Sequence, residues 1–447
     1  MYIDIKRAVA VVALIFASVV GASAQQSPLI EVSAPAEEVE TKLYSLQECI
    51  MIGIENNFDI KISKKSEEIS SRNATWGNAG LIPVVEAELS TDGDLAHGGD
   101  FSQDADASIT LSWTIFDGFQ TQASYARLKE LEAMGELQTR MAIETLVSNI
   151  ASTYYSVVRQ IIRQANLKYA VELSQERFKI VQAHSELGSA SILEYKQAQV
   201  DYNADYSAYI KQGEELYDYQ VQLNELISKS SVDAPIKLRD KDMEFFEMEH
   251  RDAIWGSAME SNSYYLAAKY DRSISYQELR IAKAASYPSL TFSGSYGHGS
   301  SWYNPVPMNR SDDLSFSYGL TLSIPIFNAG NNARERRNAQ SSLDIAELQI
   351  DAMELSLKSD LAQLWMSYNN NHSMIDLEQA NVTVAREYFE AAIESYKLGM
   401  LAGIELREAQ TSLLAAEEAL SIARYDTKIS EISLLLLSGT IIDRLVD

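Results

Sequence analysis

The chain has one cysteine, Cys49, in 447 residues. A single thiol excludes an internal disulfide, and none lies at a processing site to accept a lipid; Cys49 is expected as a small buried residue on a helix. Proline and glycine are sparse, at 8 and 20, which leaves room for long uninterrupted elements. Basic residues are outnumbered 37 to 63 by acidic ones, a net charge of -26. Such a chain repels phosphate backbones, and without a basic patch interleaved with aromatics nucleic acid is excluded as a partner. The acidity chiefly serves solubility. The five histidines (His97, His184, His250, His298, His372) are scattered without metal-ligand spacing. Neither a Gly-Lys-Ser/Thr phosphate loop nor a Gly-x-Ser-x-Gly elbow is present, so catalysis, a cofactor and a metal are not expected. Finally, no apolar run reaches the ~18 residues of a membrane-spanning helix. Any insertion into a bilayer must use strands.

What is present begins with a signal-peptide layout at 1–24: Lys6 and Arg7, an apolar run from Ala8 to Val20, then Gly21-Ala22-Ser23-Ala24 before Gln25. The protein is exported. Residues 25–43, with Glu31, Glu37, Glu38, Glu40, Pro28 and Pro35, read as a flexible acidic leader. Ser45-Leu46-Gln47-Glu48 is a capping box that opens a helix. Helical pattern continues to about Gly80, weakened near Asn56-Asn57, and Pro83 closes it. The period then changes to two: Val85, Ala87 and Leu89 alternate with Glu86 and Glu88. After a polar loop at about 91–106, Ala107, Ile109, Leu111, Trp113 and Ile115 alternate with Ser108, Thr110, Ser112 and Thr114. Strands are expected at about 84–90 and 107–115. One face is apolar and the other carries small hydroxyls. The acidic run Asp92, Asp94, Asp100, Asp104 and Asp106 reads as a solvated loop.

From about 119 to 187 the helical period returns without a proline. Ile143, Val147, Ile150, Tyr154, Val157 and Ile161 follow a coiled-coil spacing that slips and restarts at Leu167. At 1.5 Å per residue this is a rod of ~100 Å, more than an ordinary globular domain needs. It stops at Leu187-Gly188-Ser189, and a second, tyrosine-rich helix runs to about Ser228. Residues 230–250 read as a linker.

The second half replays the first. Asn262 follows Asn57, and Pro288 follows Pro83, at an offset of 205; Ile326-Phe327-Asn328 follows Ile115-Phe116-Asp117, and Leu398-Gly399-Met400 follows Leu187-Gly188-Ser189, at 211. Strands are expected at about 289–296 and 314–324 and a long helix at about 331–398. The repeats span 44–229 and 251–438, with a tail at 439–447. The hairpin loop absorbs the length change, whereas the stretch from strand end to hinge keeps its length. Two rods that must end at one level explain that constancy. Hence the hinges are expected side by side at one end and the hairpins at the other. Four strands cannot enclose a pore, and lipid does not tolerate open edges, so other copies of the chain must complete the sheet.

In this order of elements, in Ile115-Phe116-Asp117-Gly118 and Pro325-Ile326-Phe327-Asn328 at the strand-to-helix junctions, and in its two Leu-Gly hinges, the chain resembles the TolC family of outer-membrane efflux channels over about residues 44–438. The resemblance implies a mainly α fold with a membrane β-barrel: a homotrimer whose twelve strands, four per chain, close a barrel in the outer membrane and whose helices continue as a periplasmic tunnel. It implies a periplasmic adaptor and an inner-membrane pump as partners. The hinge residues Leu187, Gly188, Ser189, Leu398, Gly399 and Met400 match the adaptor-docking tips. Glu405 and Glu408 match the carboxylates that narrow the periplasmic mouth; their i, i+3 spacing puts both on one helix face, and three copies would make two rings.

Glu194 and Tyr396 match members of the closed-state lock, but the family's basic partner falls at Leu401. Arg407 is near enough to substitute, or to pair with a neighbouring glutamate on the surface. Trp113, Phe116, Tyr296 and Phe327 suit the aromatic girdles at the lipid interface. Two alternatives stay open: the exit duct of a type I protein secretion system, and a soluble periplasmic coiled-coil scaffold.

Overall fold

The computed structural model describes residues 42–95, 97, 100–187, 191–304 and 309–446. The signal peptide and nearly all of the expected leader lie outside them. Ordered pairing begins inside the stretch read as leader: β1 (Leu43–Tyr44) runs parallel to β4 (Lys237–Leu238). Helix α1 (Leu46–Asn56) opens with the capping box, Ser45 Oγ accepting from the Glu48 N–H and Glu48 Oε2 accepting from the Ser45 N–H.

The break at Asn57 is a built feature. Its side chain caps α2 (Phe58–Asn73) by accepting from the Asp59 and Ile60 N–H groups and donates to the carbonyl of Leu226. Asn262 repeats both bonds in the second half: it caps α7 (Ser263–Ala284) and donates to the carbonyl of Leu437. The short α3 (Trp76–Ala79) and α6 (Arg251–Ser261) complete the segments that precede each hairpin.

The strands β2 (Val84–Leu95), β3 (Phe101–Phe116), β5 (Ser289–Asn304) and β6 (Asn309–Ser323) form one antiparallel sheet in the order β2-β3-β5-β6. They outrun the expected bounds at the hairpin ends. Alternation of apolar and polar residues marks only the part of a strand with one apolar face; beyond it both faces are polar, yet the backbone ladder continues. Thus Asp92, Asp94, Asp104 and Asp106, expected in a loop, lie in strands, with Asp92 opposite Asp104. The apolar face carries Leu89, Ile109, Trp113, Phe316, Leu320 and Leu322, all exposed in the single chain.

Each hairpin feeds a long helix through residues at positive φ, Gly118 and Phe119 before α4 (Gln120–Glu186), Ala329 and Gly330 before α8 (Asn331–Lys397). At Gly118 a Cβ would stand 2.5 Å from the Cβ of Tyr287, so both conformation and space require glycine. Helices α4 and α8 are 67 residues each; α4 returns as α5 (Ile192–Leu226), and α8 returns as α9 (Gly403–Ser438). The last helix, α10 (Ile441–Leu445), lies in the expected tail and buries Ile441.

The segment read as a linker is a strap across the main core. Ile236, Leu238 and Met243 are buried in it with Cys49, Ile50, Ile150, Tyr154 and Ile432. Polar ties hold its backbone: Asn224 donates to the carbonyls of Val232 and Ala234, Tyr154 Oη donates to Asp240 at 2.8 Å, and Arg424 grips Asp242. The deepest tie is Lys428 with Glu431, 2.6 Å apart and wholly without solvent exposure. Lys428 also donates to the carbonyl of Glu244 and sits 4.0 Å from the ring centre of Phe246, while Glu431 accepts from the Phe246 N–H. Burial pushes the Glu431 carboxyl up and the Lys428 ammonium down from their ordinary ranges, and the opposite charge beside each pulls it back.

Removing one partner leaves a buried charge alone. Lys428→Met is therefore expected to destabilise the protein by about 3–5 kcal/mol, whereas Lys428→Met/Glu431→Gln, which keeps an acceptor for the Phe246 N–H, recovers most of the loss. Urea unfolding of the three proteins in detergent checks the order; a double variant no better than the single one would refute the account.

Candidate functional site

At both hinges the long helix ends on a leucine in right-handed helical conformation, Leu187 and Leu398. At the second, α8 ends in a left-handed glycine cap: Gly399 has φ +72°, its N–H donates to the carbonyl of Tyr396, and the Met400 N–H donates to that of Ser395. This closes the terminal carbonyls of a 67-residue helix within two residues. At the first hinge Leu187 caps α4, while Gly188 and Ser189 lie outside the described residues. The apolar side chains at both tips face solvent, with Leu187 83% exposed, Leu398 70% and Met400 71%.

Glu194 and Glu405 take equivalent places as the third residue of the helix that follows each hinge. Glu194 Oε2 accepts from the Ser191 N–H at 3.0 Å, and Glu405 Oε2 accepts from the Ala402 N–H at 3.1 Å. Both carboxylates thus satisfy a free N–H at a positive helix end. Glu408, one turn on, is exposed.

Arg407 does not reach Glu194. It grips Asp205 of α5 through two parallel bonds, Nη1 at 2.6 Å and Nη2 at 2.7 Å, and Gln410 adds a third donor at 3.4 Å. One turn nearer the tip, Arg177 of α4 pairs with Asp201 and donates through Nη1 to the carbonyl of Gly403 at 3.1 Å. Gln197 also donates to Asp201. Asp201 and Asp205, four residues apart on one face of α5, therefore hold arginines from two other helices. Arg407 and the Gly403 carbonyl carry that hold across to the second helical hairpin. The Asp205 carboxylate and the hydrogen bonds to it raise the Arg407 guanidinium above its usual range.

Leu401 packs instead beside a small core of Phe389, Ala392, Leu406, Ala409 and Leu413. Tyr396 is half-buried there; burial raises its phenol, Arg177 opposes that shift and Glu194 adds to it. The structure thus brings Tyr396, Arg177 and Glu194 into one neighbourhood and assigns Arg407 to a partner the sequence reading missed. The signal was present in Asp201 and Asp205, two acids at helical spacing on a face otherwise facing the neighbouring helices.

At the opposite end, the Trp113 indole donates to the carbonyl of Leu81 at 2.9 Å, and Phe116 meets Phe119 edge-on at 5.4 Å. Phe327 is 86% exposed. Tyr296, expected near a strand end, sits mid-strand because β5 continues to Asn304. Among the described residues no group of three or more His, Cys, Asp or Glu is placed to hold a metal ion, and no helix is long and apolar enough to cross a membrane.

A sheet with one apolar face joined to paired long helices is the geometry of an outer-membrane channel. Comparison agrees. The family profile described as outer membrane efflux protein matches residues 53–228 and 256–440. The outer membrane efflux protein BepC of Brucella suis is 19% identical over 391 residues, covering 86% of this chain and 83% of that protein. The cation efflux system protein CusC of Escherichia coli O157:H7 is 24% identical over 415 residues, covering 85% and 83%. Among solved structures, the Campylobacter jejuni CmeC outer membrane channel superposes with a TM-score of 0.75 at 18% identity, covering 89% of this chain and 86% of that one. The chain belongs to the outer membrane efflux protein family. It is a transport protein of the outer membrane, and the scaffold alternative falls away.

The Arg407–Asp205 pair is partly open to solvent at the arginine, with Asp205 nearly covered. Arg407→Ala should cost about 1.5–3 kcal/mol of the contact between the helical hairpins, and Arg407→Lys should restore little because it cannot make both parallel bonds. Hydrogen exchange at residues 401–410 checks this: it should quicken in both variants, and unchanged protection would refute the role.

Proposed function

We propose that three copies of this chain form the outer-membrane duct of a tripartite efflux system, passing small molecules outward without transforming them. The observation that carries the reading is the four-stranded sheet with one apolar face and, among the described residues, both edges unpaired. Four strands per chain make a barrel only in multiples, and three copies give twelve strands, whose apolar faces meet outer-membrane lipid and whose hydroxyl faces line water. The long helices continue the passage into the periplasm. The exposed Leu187, Leu398 and Met400 suit contact with a periplasmic adaptor, with Gly188, Ser189 and Gly399 in the same tips, and the adaptor links the duct to an inner-membrane pump. Energy comes from the pump.

In the closed duct, the arginine pairs to Asp201 and Asp205 hold the helical hairpins together, and Tyr396 and Glu194 lie beside that hold. Glu405 and Glu408 of three copies form carboxylate rings at the periplasmic mouth, where they favour cations. Trp113, Phe116, Tyr296 and Phe327 sit against lipid.

Two measurements test this. In bilayer recordings Glu405→Gln/Glu408→Gln should lose most of the cation preference, and an unchanged reversal potential would remove these residues from the mouth. Leu398→Asp/Met400→Asp should abolish crosslinking to the adaptor while leaving the trimer intact; Gly399 is kept, because any side chain there would be strained at its positive φ. Crosslinking retained by that variant would place the docking surface elsewhere.

A further inference from the structure

Between the strap and the hinges the two helical hairpins part around a cleft of about 460 Å³, within the size range of small-molecule sites. Ile162 of α4, Val382 of α8, Leu420 of α9 and Met243 of the strap give it an apolar wall. A second hollow of about 300 Å³ shares Asn166, Arg386, Glu390 and Glu417 with it and adds Tyr169 and Phe389 on the side of the hinges. The two make one elongated groove whose walls belong to both hairpins.

Charge along this groove is not balanced. Both arginines that line it are already taken, Arg386 by Glu417 at 3.0 Å and Arg424 by Asp242 at 2.7 Å. Glu387 and Glu390, one turn apart on α8, are exposed and have no ion pair or hydrogen bond among the described residues. No lysine lines either hollow. The uncompensated charge is therefore two carboxylates beside an apolar wall, and the half-exposed ring of Tyr169 adds an aromatic face, which also attracts cations. Ser421 is a separate sign of an incomplete site. The other serines and threonines of α9, Thr411, Ser412, Thr427, Ser430, Ser433 and Ser438, each donate to a carbonyl of their own helix. Ser421, in the wall of the cleft, is buried, and its hydroxyl has no partner among the described residues.

We infer that this groove binds an amphipathic organic cation, its charged group held by Glu387 and Glu390 and its apolar body laid against Ile162, Met243, Val382 and Leu420. Neither part suffices alone. An inorganic cation gains nothing from the apolar wall, and an anion of the same shape meets two carboxylates with no free arginine to offset them. Because α4 forms one wall and α8 and α9 the other, an occupant bridges the two hairpins. The site lies within one chain, so it does not depend on the three-copy reading.

The test is fluorescence titration of the purified full chain with ethidium, an aromatic cation whose emission rises on entering an apolar site. It is run in a Glu405→Gln/Glu408→Gln background, which removes the carboxylates of the proposed mouth as competing cation sites. Saturable binding is expected, displaced by phenylbutylammonium and not by phenylbutyrate, its counterpart of opposite charge. Adding Glu387→Gln/Glu390→Gln should weaken binding about tenfold. Adding Thr383→Trp, which fills the cleft from an exposed position, should abolish it. Binding that is absent from this background but present in the parent chain puts the cation at the mouth, which overturns the groove site and leaves the duct reading standing. Absence from both, displacement by the anion as readily as by the cation, or indifference to Glu387→Gln/Glu390→Gln overturns the groove site as well.

Discussion

The constraint on which the rest depends is the equal length of the two rods. Helices α4 and α8 have 67 residues each. Each residue adds about 1.5 Å, so a four-residue insertion in one would lift its hinge by about 6 Å. Arg407 would then lose Asp205, and Arg177 would lose the Gly403 carbonyl, because both contacts need the hinges level. The hairpins carry no such demand, and from Pro288 to Ile326 the second is six residues longer than the first is from Pro83 to Ile115. Conserved length in the rods and freedom in the loops thus have one physical source, the need to bring two distant turns to one place.

Levelling the hinges also requires a fixed point along the rods, and the strap supplies it. Residues 230–250 cross from one repeat to the other over the Tyr154 region; besides the pairing of β4 with β1, their polar ties reach helices of the bundle at Tyr154 of α4 and at Arg424, Lys428 and Glu431 of α9. The paired asparagines Asn57 and Asn262 add equivalent anchors, each capping one helix while bonding the end of another. Twist or slip of either rod is therefore resisted near the strap and freer toward the hinges.

Much of this was legible in sequence, and the exceptions share a cause. The strands with one apolar face, the rods and the hinges announce themselves through period, because burial against one face imposes a period. Where both faces are polar, as at Asp92 and Asp104, the period vanishes while the strand persists. The strap was unreadable because its order comes from side chains far away in the chain, such as Lys428 on the Glu244 carbonyl. For Arg407 the sequence leaves two choices open, the lock or a neighbouring surface glutamate, and its partner in the structure is Asp205. Sequence spacing puts it close to Glu405 and Glu408, whereas only the packing of α9 against α5 shows that Asp205 faces it, 202 residues away.

The same chemistry, an ion pair, does opposite work at the strap and at the hinges, and exposure decides which. Lys428 and Glu431 have no solvent access, so separating them would strand two charges without water. That pair can only persist. Arg407 keeps 26% of its side chain exposed near the end of the rods, whereas Asp205 is nearly covered at 9%. Separation there leaves one covered charge rather than two. Three of the four paired residues there lose their charge in the other repeat: Tyr388 stands where Arg177 would recur, Ser412 where Asp201 would and Ala416 where Asp205 would, whereas Arg407 keeps a basic equivalent in Lys196. The sheet, by contrast, repeats its register from one hairpin to the next. A chain whose sheet repeats its register and whose arginine–aspartate contacts do not repeat can move one helical hairpin against the other without disturbing the sheet.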